Sequence, residues 1–387
     1  MNRRLLCVAF AFAIVACRNE QKAVAPALAA PSEAEAQKFV DAYVDALRKP
    51  NVQRASQLID WPALVERATT TEETFDQRFR RNFIAGAVRS DGSVAASIVK
   101  TLKDGGRIAP LRIRTVNGER RALVRLLLPD GSLNYHEMPL VRDSSGFIRA
   151  RDIYVYATGE YLSDTLRRLY IIAVATNPNF LQRLSGKKNA FLEVAPRAKE
   201  MMEKVHAGDG EAALKIYNDM PPNIRRDKAL MLAYVMATSK TGDDKLYAHA
   251  LDELRAAYPN DRGMEMLFID SHLLAGRHDE AMRSVDRVEE AVGGDPYLDT
   301  LRAGIRLQQG NLIEAERYAA RACERDPKLE DGWWSRVNVT LKRKDFAETA
   351  RLLRHLRDDL DVEVADLRDY PDYAEFVRSP EYREFTR

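Results

Sequence analysis

Cysteine is scarce in this chain of 387 residues, with Cys7, Cys17 and Cys323 the only three. If Cys7 leaves with a leader and Cys17 is modified, only Cys323 remains free and no internal disulfide can form. Cys323 falls in an amphipathic helical pattern and reads as a small buried hydrophobe rather than a nucleophile. Six histidines occur, His136, His206, His249, His272, His278 and His355. They make no HExxH pattern and have no paired cysteines beside them, so neither a metal nor another cofactor is expected. His272 and His278 flank a glycine and are expected in solvent. There is no GxSxG elbow and no phosphate loop. Asp243-Asp244 reads as a turn rather than an acid/base pair. An excess of one charge is missing too. Lys and Arg total 60 against 58 for Asp and Glu, and a near-neutral balance argues against nucleic acid as a partner. Beyond the first residues no stretch approaches the roughly 20 apolar residues that span a bilayer.

What is present begins at the N-terminus. Asn2-Arg3-Arg4 is followed by the apolar run Leu5–Val15, too short to span and suited to a signal peptide. The run closes on Ile14-Val15-Ala16-Cys17, which resembles the lipobox of bacterial lipoproteins. The resemblance implies removal of residues 1–16 and acylation of Cys17 as the new N-terminus, with Ile14 standing where leucine is commoner. Several acyl chains would hold the protein on a membrane. Arg18, where an aspartate would imply inner-membrane retention, favours an outer-membrane lipoprotein facing the periplasm of the cell envelope. The alternative is an ordinary secretory signal cut after Ala27 or Ala29.

Residues 17–32 are rich in Ala and Pro without apolar period and read as a flexible tether. Over residues 33–159 helical patterns precede strand patterns. Phe39, Val40, Tyr43, Val44 and Leu47 share one helical face up to Pro50. Short turns follow around Trp61-Pro62, and Phe75, Phe79, Phe83 and Ile84 predict a third helix. The period then falls to two: Leu111–Thr115, Ala122–Leu128, Tyr135–Val141 and Phe147–Tyr156 are predicted strands. Asn117-Gly118, Asp130-Gly131 and Ser144–Gly146 are the turns between them. Helices followed by an antiparallel meander, with the strand Gly146–Val155 closing it, resemble the nuclear transport factor 2-like (cystatin/ketosteroid isomerase-like) cone fold. Residues 160–193 read as connecting helices.

From residue 194 a glycine recurs every 34 residues, at Gly208, Gly242, Gly276 and Gly310, with Lys344 at the next step. Seven residues before each stand Met201, Val235, Ile269, Ala303 and Val337; twelve after stand Met220, Leu254, Val288, Ala322 and Leu356. Five after come Ala213, Tyr247, Ala281, Ala315 and Thr349, small in three units. This register, clearest over Pro296–Leu329, resembles the tetratricopeptide repeat. The resemblance implies helix pairs that bury their seams only by stacking on neighbours. The fold class expected is thus an α+β cone domain followed by an all-α tetratricopeptide-type solenoid over residues 194–365. Residues 366–387, with Tyr370, Tyr373, Phe376, Val377, Tyr382 and Phe385, are a cap or an exposed docking tail.

Inner-groove positions of that repeat family fall on the first helix of each pair. Here they include Met236, Met266, Asp270, Trp334 and Asn338, and the Lys, Asn and Arg set that clamps a C-terminal carboxylate is missing. Met and Trp at such positions suit an apolar peptide or helix, with Trp334 the expected hot spot; alternatively they pack against the rest of the chain. A second candidate is a pocket in the cone domain near His136, Asp152, Tyr154 and Tyr156, the last three alternating onto one strand face. The sequence is therefore read as a membrane-anchored, non-enzymatic adaptor binding unidentified envelope proteins, with no small-molecule ligand expected. The alternative is a ligand-binding or enzymatic cone domain with the repeats as a docking or oligomerisation module.

Overall fold

The computed structural model describes residues 29–49, 51–70, 77–89, 92–129, 131–175, 190–259 and 261–387. The leader, Cys17, most of the tether, Pro50, Phe75 and Asp130 lie outside the described residues. A helix-and-sheet region comes first and a helix-rich region follows.

Helix α1 (Glu33–Arg48) starts at a capping box in which Ser32 and Glu35 satisfy each other's backbone donors. Its expected apolar face is the buried one, from Ala36 through Phe39, Tyr43 and Leu47. The short α2 (Val52–Gln57), α3 (Trp61–Thr69), α4 (Gln77–Arg89) and α5 (Gly92–Lys103) complete the helical layer. The sheet follows as β1 (Arg107–Val116), β2 (Glu119–Leu127), β3 (Leu133–Arg142), β4 (Ile148–Ala150), β5 (Tyr154–Val155) and β6 (Glu160–Tyr161). Its antiparallel order is β1-β2-β3-β5-β6, with β4 also pairing β3. The β1–β2 turn puts Asn117 at φ 51° and Gly118 at φ 79°, the left-handed pair that a tight hairpin needs.

The last predicted strand, Phe147–Tyr156, is two short strands separated by a bend. Asp152 causes it: its carboxylate accepts from the backbone N–H of Ile153 and Ser163 and from the Ser163 hydroxyl. Local bonds of this kind compete with a ladder.

Strands alternate their side chains between faces, and both faces of this sheet are covered. Ala122, Val124, Leu126, Met138 and Leu140 pack on α1, α2, α3 and α5. Leu123, Tyr135 and Tyr156 pack on the helix-rich region, against Val285, Val292 and Leu298.

After α6 (Leu162–Ala175) that region contains α7 (Ala190–His206), α8 (Gly210–Asn218), the one-turn α9 (Pro222–Arg225), α10 (Lys228–Ser239) and α11 (Asp244–Ala257). It continues with α12 (Glu265–Leu274), α13 (His278–Val292), α14 (Tyr297–Gln308), α15 (Leu312–Arg325), α16 (Glu330–Lys342) and α17 (Phe346–Arg354). Apart from α9, each helix from α7 onward packs on the next. The 34-residue glycines sit in the short turns after α7, α10, α12 and α14, at φ between +68° and +79°. Lys344, in the turn after α16, takes φ +56° as well. The ten seam residues seven before and twelve after these turns are all buried. Beyond α17 the chain folds back, and Leu367, Phe376 and Phe385 are buried with Val337, Leu353 and Leu356, leaving Tyr370 half exposed.

Candidate functional site

Helix α13 ends at Val292, where Gly293 turns the chain at φ +75°. Its last carbonyls carry the negative end of the helix dipole and need donors. They meet two of the three arginines of β1. Arg114 donates to the carbonyl of Ala291 at 2.5 Å, and Arg112 donates to those of Gly293 and Gly294. Two residues on, Asp295 is fully buried. It accepts from Arg125 of β2 at 2.5 Å and from the Tyr135 hydroxyl of β3 at 2.8 Å. Burial, and then the Asp295 charge, push the Tyr135 phenol well above its ordinary range. On the other side, Lys228 binds Asp261 at 2.6 Å and the carbonyl of Gly159 at 3.2 Å. Gly159 and Gly263 touch backbone to backbone, so that a Cβ on Gly159 would lie 2.8 Å from the Gly263 carbonyl carbon. The sheet is thereby fixed on the helices.

A cleft of about 470 Å³ lies along this contact, between the β2–β3 turn and α12 and α14. Leu128 and Leu133 line one wall; Tyr247, Met266, Leu273 and Leu301 line the other, with Asp270 at its polar side. Burial first, and the nearby Asp270 charge second, push the Tyr247 phenol up to about 12. Two of the five groove residues named from sequence, Met266 and Asp270, are therefore brought together here. Met236 stands on α10, 42 % exposed. Trp334 packs on the C-terminal cluster around Val337 and Leu353, and Asn338 is exposed.

The four residues named for a cone pocket do not converge. His136 is buried and its register partners are Val124 and Val155, in the core on the α1–α5 side. Burial holds its imidazole down at about 4, and Nδ1 has no partner. Asp152 turns to α3 and α6, paired with Arg67 at 3.1 Å and with Ser163 at 2.6 Å. Tyr154 and Tyr156 lie edge-on, ring centroids 5.1 Å apart, facing the helix-rich region. The Tyr156 hydroxyl accepts from Arg114 at 3.0 Å.

His272, expected in solvent, is buried. It lies between Arg255 and Arg277, and burial together with those two charges lowers its pKa. Sequence spacing put it beside a turn but could not show that α11 covers it. The Cys323 thiol is pushed up to about 12, mainly by burial, and is no nucleophile at neutral pH. Among the described residues no cluster of His, Cys, Asp and Glu could hold a metal ion.

No protein-family model matches the chain, and no curated protein matches it. Its own geometry is what any reading of the site rests on. The groups that fix the sheet on the helices, Arg112, Arg114, Arg125 and Asp295, were missed in the sequence. Their one signal was arginine alternating with apolar residues along β1 and β2, a pattern that reads equally well as a solvated strand face.

Proposed function

We propose that this chain is a lipid-anchored adaptor of the bacterial envelope, built from a cone-type domain and a tetratricopeptide-type solenoid, that holds an apolar peptide or helix from an envelope protein. The observation that carries the reading is the cleft beside the β2–β3 turn. Met266, Leu273, Leu301 and Leu128 give it an adaptable apolar lining with one acid at its rim, a surface suited to a short apolar anchor. The solenoid reading is supported by left-handed backbone at Lys344, where the 34-residue register places glycine in the four preceding turns. An enzymatic reading finds less support, because Asp152 and Tyr156 are each engaged in fixing helices.

The test is a photo-crosslinking residue in place of Met266 in intact cells. An adduct with an envelope protein is expected there and not with the crosslinker at Asn338, which is exposed but lies away from the cleft. Cys17→Ser is expected to release the protein from membranes without abolishing the adduct of the purified components. Loss of cellular activity in Asp152→Asn, with the fold intact and no adduct at Met266, would sink the adaptor reading.

A further inference from the structure

The 34-residue register places Met231, Glu265, Asp299 and Trp333 at one equivalent position, and Glu253, Arg287, Arg321 and His355 at another. At three of these four junctions the pair closes on itself. Arg287 binds Glu265 at 2.6 Å. Arg321 donates to Asp299 at 2.9 Å, with Arg302 and Arg325 on the same carboxylate. Trp333 lies against His355, ring centroids 4.1 Å apart and tilted by 53°. At the first junction the pair is Met231 and Glu253, and neither complements the other.

A cleft of about 740 Å³ is left there, lined by Tyr217, Tyr234, Tyr258, Met231 and Arg225 among others. Tyr217 and Tyr234 stack face to face, centroids 4.4 Å apart. The Arg225 guanidinium lies 6.0 Å from the Tyr217 ring, and its Nε is buried without a partner. Among the described residues it makes no hydrogen bond or ion pair, whereas the arginines at the other junctions are paired. Glu253 does not serve it and faces His249 at 3.7 Å instead.

We infer that this open junction receives an acidic side chain, Asp or Glu, carried on a peptide segment of a partner protein and held by Arg225. A buried guanidinium Nε without an acceptor is costly, and a carboxylate is the acceptor that satisfies Nε and a neighbouring donor at once. The tyrosine rings exclude water and strengthen that bond. An apolar neighbour of the acid would rest on Met231 and Tyr258. The site is distinct from the Met266 cleft and stands independently of it.

The experiment is fluorescence anisotropy on the full chain with a labelled Glu-Leu-Glu-Leu peptide and its Gln-Leu-Gln-Leu counterpart. The Glu peptide is expected to bind at least about tenfold more tightly, the scale of one charge-assisted bond. Arg225→Gln should remove that difference without moving Tm, since the side chain gives up no bond within the protein. Met231→Glu combined with Glu253→Arg rebuilds the pair of the next junction. It should fill the cleft, raise Tm and abolish peptide binding. Equal affinity for the two peptides, an unchanged Kd in Arg225→Gln, or no binding of the Glu peptide would each overturn the inference. So would tighter binding of a Lys-Leu-Lys-Leu peptide that is lost in Glu253→Gln.

Discussion

On one face of the sheet, Ala122, Val124, Leu126, Met138 and Leu140 meet α1, α2, α3 and α5 almost entirely through carbon. On the other, Leu123 and Tyr135 share the contact with Arg112, Arg114, Arg125 and Glu137, each bonded to a specific atom. The first face gains from area removed from water and tolerates small shifts. The second must place charges within hydrogen-bond distance or lose their hydration for nothing. Apolar burial makes the helix-and-sheet region; polar geometry sets where it sits on the helices.

The sharpest way to break that contrast is at Asp295. Asp295→Ala leaves Arg125 and the Tyr135 hydroxyl buried without their acceptor and is expected to cost about 3–5 kcal/mol. Denaturant unfolding followed by circular dichroism should show the loss, with the helix-and-sheet region melting ahead of the rest. An unchanged midpoint would mean that the polar face contributes nothing.

A pH titration probes the other face. His136 belongs to the apolar side and is held at about 4 by burial, against an ordinary 6.5. The unfolded chain takes up this proton first as pH falls. Stability is therefore complete above pH 6.5 and declines as pH drops towards 4, by about 3 kcal/mol over the window. His136→Leu should flatten that slope; an identical slope in both proteins would remove His136 from the account.

The smallest effect lies within the helices. Lys344 holds left-handed backbone that glycine adopts freely. Lys344→Gly should gain about 1 kcal/mol. It gives up only the exposed pair with Glu375 at 2.7 Å, which is worth little. A fall in Tm would contradict the equivalence of this turn with that at Gly310.

Much of the coarse order was legible in the sequence. The apolar period of α1, the Asn117-Gly118 turn and the strands around Leu111, Ala122 and Tyr135 were written locally, because each depends on neighbours a few residues away. The seam positions were legible too, since the register repeats them. The docking of the sheet was not. Arg125 and Asp295 are 170 residues apart, and an arginine that will find a buried carboxylate looks the same in sequence as one that faces water. The groove residues divided for a similar reason. The spacing put Met266 and Trp334 on equivalent helices, but the β2–β3 turn comes to rest beside Met266, while the C-terminal segment folds back on Trp334.

The contact of Gly159 with Gly263 bears on binding. Neither position has room for a methyl group, and a Cβ on Gly263 would lie 2.3 Å from the Tyr154 hydroxyl oxygen. A side chain at either position would push the two regions apart at this contact. With glycine at both, a ligand reaching the cleft by the β2–β3 turn meets a wall already in its final shape. A wall held in this way would spare the proposed ligand the affinity that an unfavourable pre-equilibrium takes.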